Sequence, residues 1–227
     1  MAQQERAIRT RQAILVAAAQ VFAEVGYQAA TIVEILRRAD VTKGALYFHF
    51  PSKEELAQAV LANQLTGMPQ TPPRELKLQQ CLDEAFLLAH LLQEGDSLVQ
   101  GSIRLTVEQG SPRDGLDRRV PMAGWVEHNT AMLAQAKQNG ELLPQADVEA
   151  VARMFVGAFT GVQVLSKVMT GHADLMDRVA DLQRHLMASI AVPAVLVRLD
   201  MAPDRGERVH KEIMRLRRAA EPVEAVG

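Results

Sequence analysis

Apolar residues recur at helical spacing along almost the whole chain, and no stretch sustains the alternation of a strand. That pattern predicts an all-α protein. Ile14, Ala18, Val21, Phe22 and Val25 form one stripe that ends at Gly26. Thr31 with Glu34, and Ser52 with Glu55, have the spacing of capping boxes. The first is followed by Ile32, Ile35 and Leu36, the second by Leu56, Val60 and Leu61.

The clearest early break is GMPQTPP at 67–73, where consecutive prolines cannot continue a helix. Beyond it the periodicity predicts helices at 75–93, 97–109, 119–138, 147–170 and 173–200. Asp147 is the expected N-cap of the fourth of these. Gly171 separates the last two, and Pro193 should kink or cut the last. The segment 110–118 reads as a polar, mobile connection. From about 204, basic and acidic residues alternate, which suggests a solvated helix with frayed final residues.

With 227 residues, 48% of them apolar, a sizeable core is within reach. A formal net charge of -2 means that any basic surface must be local. The single cysteine, Cys81, excludes an internal disulfide and a cysteine-built metal site, and reads as a buried small hydrophobe. No signal pattern or membrane-spanning run is expected, so the expected location is the cytoplasm.

The histidines are His49, His90, His128, His172, His185 and His210. None forms an HxxxH or HExxH pair, and no phosphate loop or GxSxG elbow occurs. His90 lies on an apolar face and reads as a satisfied core histidine. Glu127 and His128 stand near Trp125, but no nucleophile accompanies them. The pattern does not describe an enzyme, and no cofactor is implied.

The segment VTKGALYFHF, 41–50, is more informative. It gathers three aromatic residues and a histidine at 47–50 in a chain that is only 4% aromatic. Short helices flanking Ala39-Asp40-Val41 suggest a helix-turn-helix, with Asp40 in the left-handed position and the reading helix starting at Thr42. Lys43, Gly44 and Tyr47 then share one face, and Leu46 and Phe50 another. Leu46, Phe48 and Phe50 read as the packed side.

The outward groups suit DNA. Lys43 can reach a guanine edge or a phosphate, and Gly44 permits close backbone approach. Tyr47 and His49 can donate to phosphates. Thr31 and Thr42 mark helix N-termini that favour an anion. Lys53 and the arm residues Arg6, Arg9 and Arg11 add positive charge along the backbone.

Residues 10–55, TRQAILVAAAQVFAEVGYQAATIVEILRRADVTKGALYFHFPSKEEL, resemble the DNA-binding domain of the TetR family of bacterial repressors. Gly26-Tyr27, Thr31, Ile35, Val41, Gly44, Leu46-Tyr47 and His49-Phe50 match that pattern, whereas Asp40 stands where the family usually has glycine. TKGALYFHF, with Trp125 in VPMAGWVEHN and the 147–170 segment, is similar to the γ-butyrolactone autoregulator receptors of actinobacteria.

The resemblance implies a DNA-binding domain over 1–52 and a ligand-binding and dimerisation domain over 53–227. It implies a homodimer on a palindromic double-stranded operator, with reading helices about 34 Å apart. Release would follow binding of a γ-butyrolactone-like ligand, in control of secondary metabolism. A TetR-like regulator answering an antibiotic or other small molecule is the alternative.

The family places Trp125 in the ligand pocket, where an indole can wall the site and donate a hydrogen bond. Core packing is the competing reading for Trp125. Gln64 and Thr160 are candidate polar anchors, and Phe86 and Phe159 candidate apolar lining. The run Met187–Leu199, with Val164, Leu165, Val168 and Met169, is the expected four-helix dimer interface.

Overall fold

The computed structural model describes residues 2–108 and 114–220. Among them there are eleven helices and no strand, only an isolated antiparallel bridge between Leu142 and Ala191. The chain forms two compact units, 1–68 with 95–124, and 69–94 with 125–227. Packing thus groups the chain differently from a linear division at 52, because a later helix returns to the N-terminal core.

The first unit contains α1 (Ala2–Ala29), α2 (Ile32–Ala39), α3 (Lys43–His49), α4 (Lys53–Thr66) and α6 (Ser97–Val107). α1 is broken at Gly26, whose φ of 76° and ψ of 177° are not helical. The expected caps form, with Thr31 accepting from Glu34 N at 3.2 Å and Ser52 from Glu55 N at 3.1 Å. Asp40 adopts φ 51° and ψ 49°, so the aspartate does take the left-handed turn position.

One core unites Ile14, Phe22, Ile35, Leu46, Phe50, Leu56, Leu61 and Leu105, all nearly or fully buried. Each such side chain contributes about 1.5–3 kcal/mol on leaving water. α6 lies directly on α1 at Gly101, where an added Cβ would overlap the Ala19 carbonyl.

The second unit contains α5 (Lys77–Gln93), most of α7 (Arg119–Gln138), α8 (Val148–Thr170), α9 (Leu175–Ile190), α10 (Pro193–Leu196) and α11 (Arg205–Ala220). Asp147 caps α8, accepting from Glu149 N and Ala150 N, and Gly171 ends it in the left-handed region at φ 64°. Pro193 cuts rather than kinks the last predicted helix, because it occupies the first turn of the separate α10. Cys81 is buried as expected, and burial pushes its thiol pKa well up.

Three expectations need correction here. Met187–Leu199 is not one surface helix: Met187, Ile190, Ala191 and Val195 are interior, and the helix stops at Ile190. α11 is docked rather than solvated all round, with Gly206, Val209 and Ile213 buried. An ion network reinforces it: fully buried Asp83 takes hydrogen bonds from Arg74 and Arg205, and Arg74 also binds Glu212. Finally, α8 is long and apolar enough to cross a membrane, with a window of mean hydropathy 1.4. Both of its faces are apolar. Val151, Phe155 and Phe159 face inward, whereas Val168 and Met169 stay 76% and 65% exposed. The fraying expected of the last residues falls on 221–227, and the start of the 110–118 connection on 110–113, outside the described residues.

Candidate nucleic-acid interface and sensor core

The reading helix α3 begins at Lys43 because Thr42 caps it, accepting from Ala45 N at 3.2 Å. It ends at Phe50, whose N–H reaches Leu46 O at 2.8 Å. Leu46 and Phe50 anchor one face in the core, at 0% and 3% exposure. Thr42, Lys43, Gly44 and Tyr47 are exposed on the outward side, and His49 is half-buried. A Cβ on Gly44 would meet nothing within 4 Å, so the absent side chain leaves the backbone open to a close partner. Lys43 Nζ lies 5.9 Å from the Tyr47 ring centroid.

Phe48 departs from the sequence reading. It is 81% exposed and meets His49 edge-on at 5.1 Å, so it belongs with the outward groups. A heptapeptide helix has room to bury only one stripe, and Leu46 with Phe50 fills it. Phe48 is therefore an outward residue that the motif analysis missed; its position next to Tyr47 was the available signal.

Thr31 is exposed and caps α2. Arg9 is exposed and faces Glu5 at 3.7 Å, and Arg11 lies 4.9 Å over the Phe50 ring. Lys53 is engaged inside the unit. Its ammonium reaches Gln28 O at 3.4 Å and sits 4.5 Å over Tyr27, and burial lowers its pKa. On α2, Arg37 and Arg38 both grip Glu34 and hold its carboxyl down to about 2.

In the second unit, Trp125 is buried and its indole N–H has no acceptor. Its carbonyl takes a hydrogen bond from Asn129, and its ring meets His128 edge-on at 6.0 Å. His128 Nε2 pairs with Glu84 at 2.5 Å, and that bond raises the histidine pKa. Phe86 and Phe159 are buried, and half-buried Thr160 returns its hydroxyl to Val156 O at 2.8 Å. Gln64 belongs to the first unit, where its Oε1 is buried without a donor. An orphaned polar group in an apolar interior costs about 1–3 kcal/mol, so each of these atoms marks a place suited to a polar partner. His90 is half-buried, with Nε2 3.2 Å from His210 Nδ1.

Residues 14–60 match the sequence family described as bacterial regulatory proteins, tetR family. Residues 77–193 match the tetracyclin repressor-like C-terminal domain. The chain belongs to the TetR family. It is 39% identical over 97% of its length to the A-factor receptor protein of Streptomyces griseus, covering 80% of that protein.

The fold of this TetR-family chain is also that of TylP, a TetR regulator from Streptomyces fradiae. The two share 60% identity over 92% of this chain and all of the other, with a TM-score of 0.89. A γ-butyrolactone receptor is similar at 28% identity over 91% of this chain and 98% of that one, with a TM-score of 0.60. The protein is thus a transcriptional repressor of the TetR type and not an enzyme. Regulators of this family bind operators as dimers and respond to small molecules.

Proposed function

We propose that the protein sits as a homodimer on a palindromic operator and is released by a small hydrophobic autoregulator of γ-butyrolactone type, in control of secondary metabolism in the cytoplasm. The buried indole N–H of Trp125, left without an acceptor, carries this reading. A lactone or hydroxyl oxygen would complete it, within a unit otherwise rich in apolar side chains. Phe86 and Phe159 supply apolar surface and Thr160 an additional oxygen. Gln64 is a separate candidate, with its unpaired amide oxygen in the other unit. The likeness to the A-factor receptor of Streptomyces griseus and to a γ-butyrolactone receptor supports the ligand class.

Thr31, Thr42, Lys43, Gly44, Tyr47, His49 and Arg9 face the operator in this reading. Lys53 joins them through the donors its bond to Gln28 O leaves unused. The exposed stripe of α8, including Val164, Leu165, Val168 and Met169, meets its counterpart in a second copy. Ligand shifts the population toward a dimer whose reading helices no longer match adjacent grooves.

The test is titration of γ-butyrolactones into a complex with labelled operator, with Trp125 emission followed in parallel. Release accompanied by an emission change is expected. Failure of every lactone to loosen the complex, with release by an antibiotic-like compound instead, would replace the autoregulator by the alternative ligand class.

A further inference from the structure

The last turn of α6 holds the break in α1. At Gly26 the backbone leaves the helical conformation, and a helix end leaves carbonyls before it and amides after it to find other partners. Both kinds are satisfied from α6. Arg104 Nη1 donates to the carbonyls of Ala23 at 2.7 Å and Glu24 at 2.9 Å. Tyr27 N donates to Glu108 Oε2 at 3.1 Å. Arg104 lies in the last turn of α6 and Glu108 is the residue that ends it, so the C-terminal end of α6 presents the donor and the acceptor together. Glycine at 26 is called for by its φ, which lies in the region that disfavours side chains, and a Cβ there would push the Glu108 carboxylate aside.

The segment gripped in this way touches both neighbours of the reading helix. The Glu24 carboxylate takes two bonds at 2.6 Å from Arg38 of α2. Tyr27 and Gln28 receive the Lys53 ammonium from the start of α4. α2 and α4 flank α3 in the chain and share its core. Residues 23–28 thus connect the end of α6 to both supports of the reader.

We propose that Arg104 and Glu108 are positioning residues of the repressor, which fix residues 23–28 and thereby set the orientation in which α3 meets the operator. The proposal rests on the DNA-binding reading above and adds to it a control point outside the helix-turn-helix. Neither residue touches DNA in this scheme; each acts through the α1 break.

The experiment uses the full chain and a palindromic duplex that the parent protein selects from a random library, with a scrambled duplex beside it. Glu108→Ala removes the acceptor for Tyr27 N, and Glu108→Gln keeps one. Glu108→Ala should bind the selected duplex about tenfold more weakly, the scale of one lost hydrogen bond. Its binding to the scrambled duplex should be unchanged, because phosphate contacts do not read register. Glu108→Gln should stay within about threefold of the parent, since its amide oxygen still accepts. Arg104→Ala should follow Glu108→Ala.

Unchanged affinity of Glu108→Ala for the selected duplex would overturn the proposal. So would parallel losses on both duplexes with a fall in melting temperature, since that describes a fold-holding residue. A parent protein that enriches no duplex would instead remove the operator reading itself, and the proposal with it.

Discussion

The carboxylate of Glu141 caps α5 at Leu78, 63 residues away in sequence. Its Oε2 accepts Leu78 N at 2.8 Å, and its Oε1 accepts Lys77 N at 2.9 Å. The residue at the local cap position, Leu76, has no side-chain acceptor, so a distant residue supplies what the neighbouring sequence lacks.

Removing that cap should cost more than removing an ordinary surface cap, because Glu141 is 98% buried. Glu141→Ala is expected to lose about 2 kcal/mol of unfolding free energy. Glu141→Gln should lose less, as it keeps an acceptor. Urea unfolding of the three proteins reads the order directly, and equal stabilities would deny Glu141 the role.

Gly101→Ala tests the approach of α6 to α1. The new methyl would overlap the Ala19 carbonyl, which is backbone and cannot swing aside. Overpacking of this kind costs about 1–3 kcal/mol. Gly157, where an added Cβ meets nothing within 4 Å, is the internal control and should tolerate alanine. Thermal unfolding of both variants makes the comparison.

His128 gives stability a pH dependence. Its hydrogen bond to Glu84 raises its folded pKa, against the opposing effect of burial. The folded state thus holds the proton more tightly than the unfolded chain. The contribution is fully present below the unfolded value of about 6.5 and is lost as pH rises through the raised folded value. His128→Gln should therefore trail the parent most at acidic pH, with the gap narrowing above neutrality. Denaturant unfolding across pH measures it; a constant gap would exclude His128 as the source.

On the reading helix, Lys43→Ala should relax base preference at one operator position by about 1–3 kcal/mol if the lysine contacts a base edge. Tyr47→Phe should weaken binding evenly across operator variants, since phosphate contacts carry no sequence information. Binding to a panel of single-base operator variants separates these patterns. Parent-like affinity of Lys43→Ala across the panel would remove Lys43 from the reader.

The elements were legible where the signal was local. Thr31, Ser52 and Asp147 announced helix starts, Asp40 the left-handed turn and Pro193 the end of a long helix. Gly26 was legible as a stop, but its clamp was not. Arg104 and Glu108 reach it from some eighty residues away, and periodicity carries no record of such distances. Glu141 was hidden for the same reason. Phe48 misled because hydrophobicity alone does not say which side of a two-turn helix is covered. The apolar character of α8 was visible, but its division into an inward and an exposed stripe needed the packing of its neighbours.

The burial of Cys81 has a consequence for handling and for signalling alike. A thiol enclosed in α5 and held protonated reacts slowly with alkylating agents or oxidants. The protein therefore has no exposed sulfhydryl with which to sense redox state, and needs no reductant to guard one. The same enclosure makes Cys81 a built-in clock. The pace of its labelling by a thiol reagent reports how often the surroundings of α5 open to solvent, without any engineered probe.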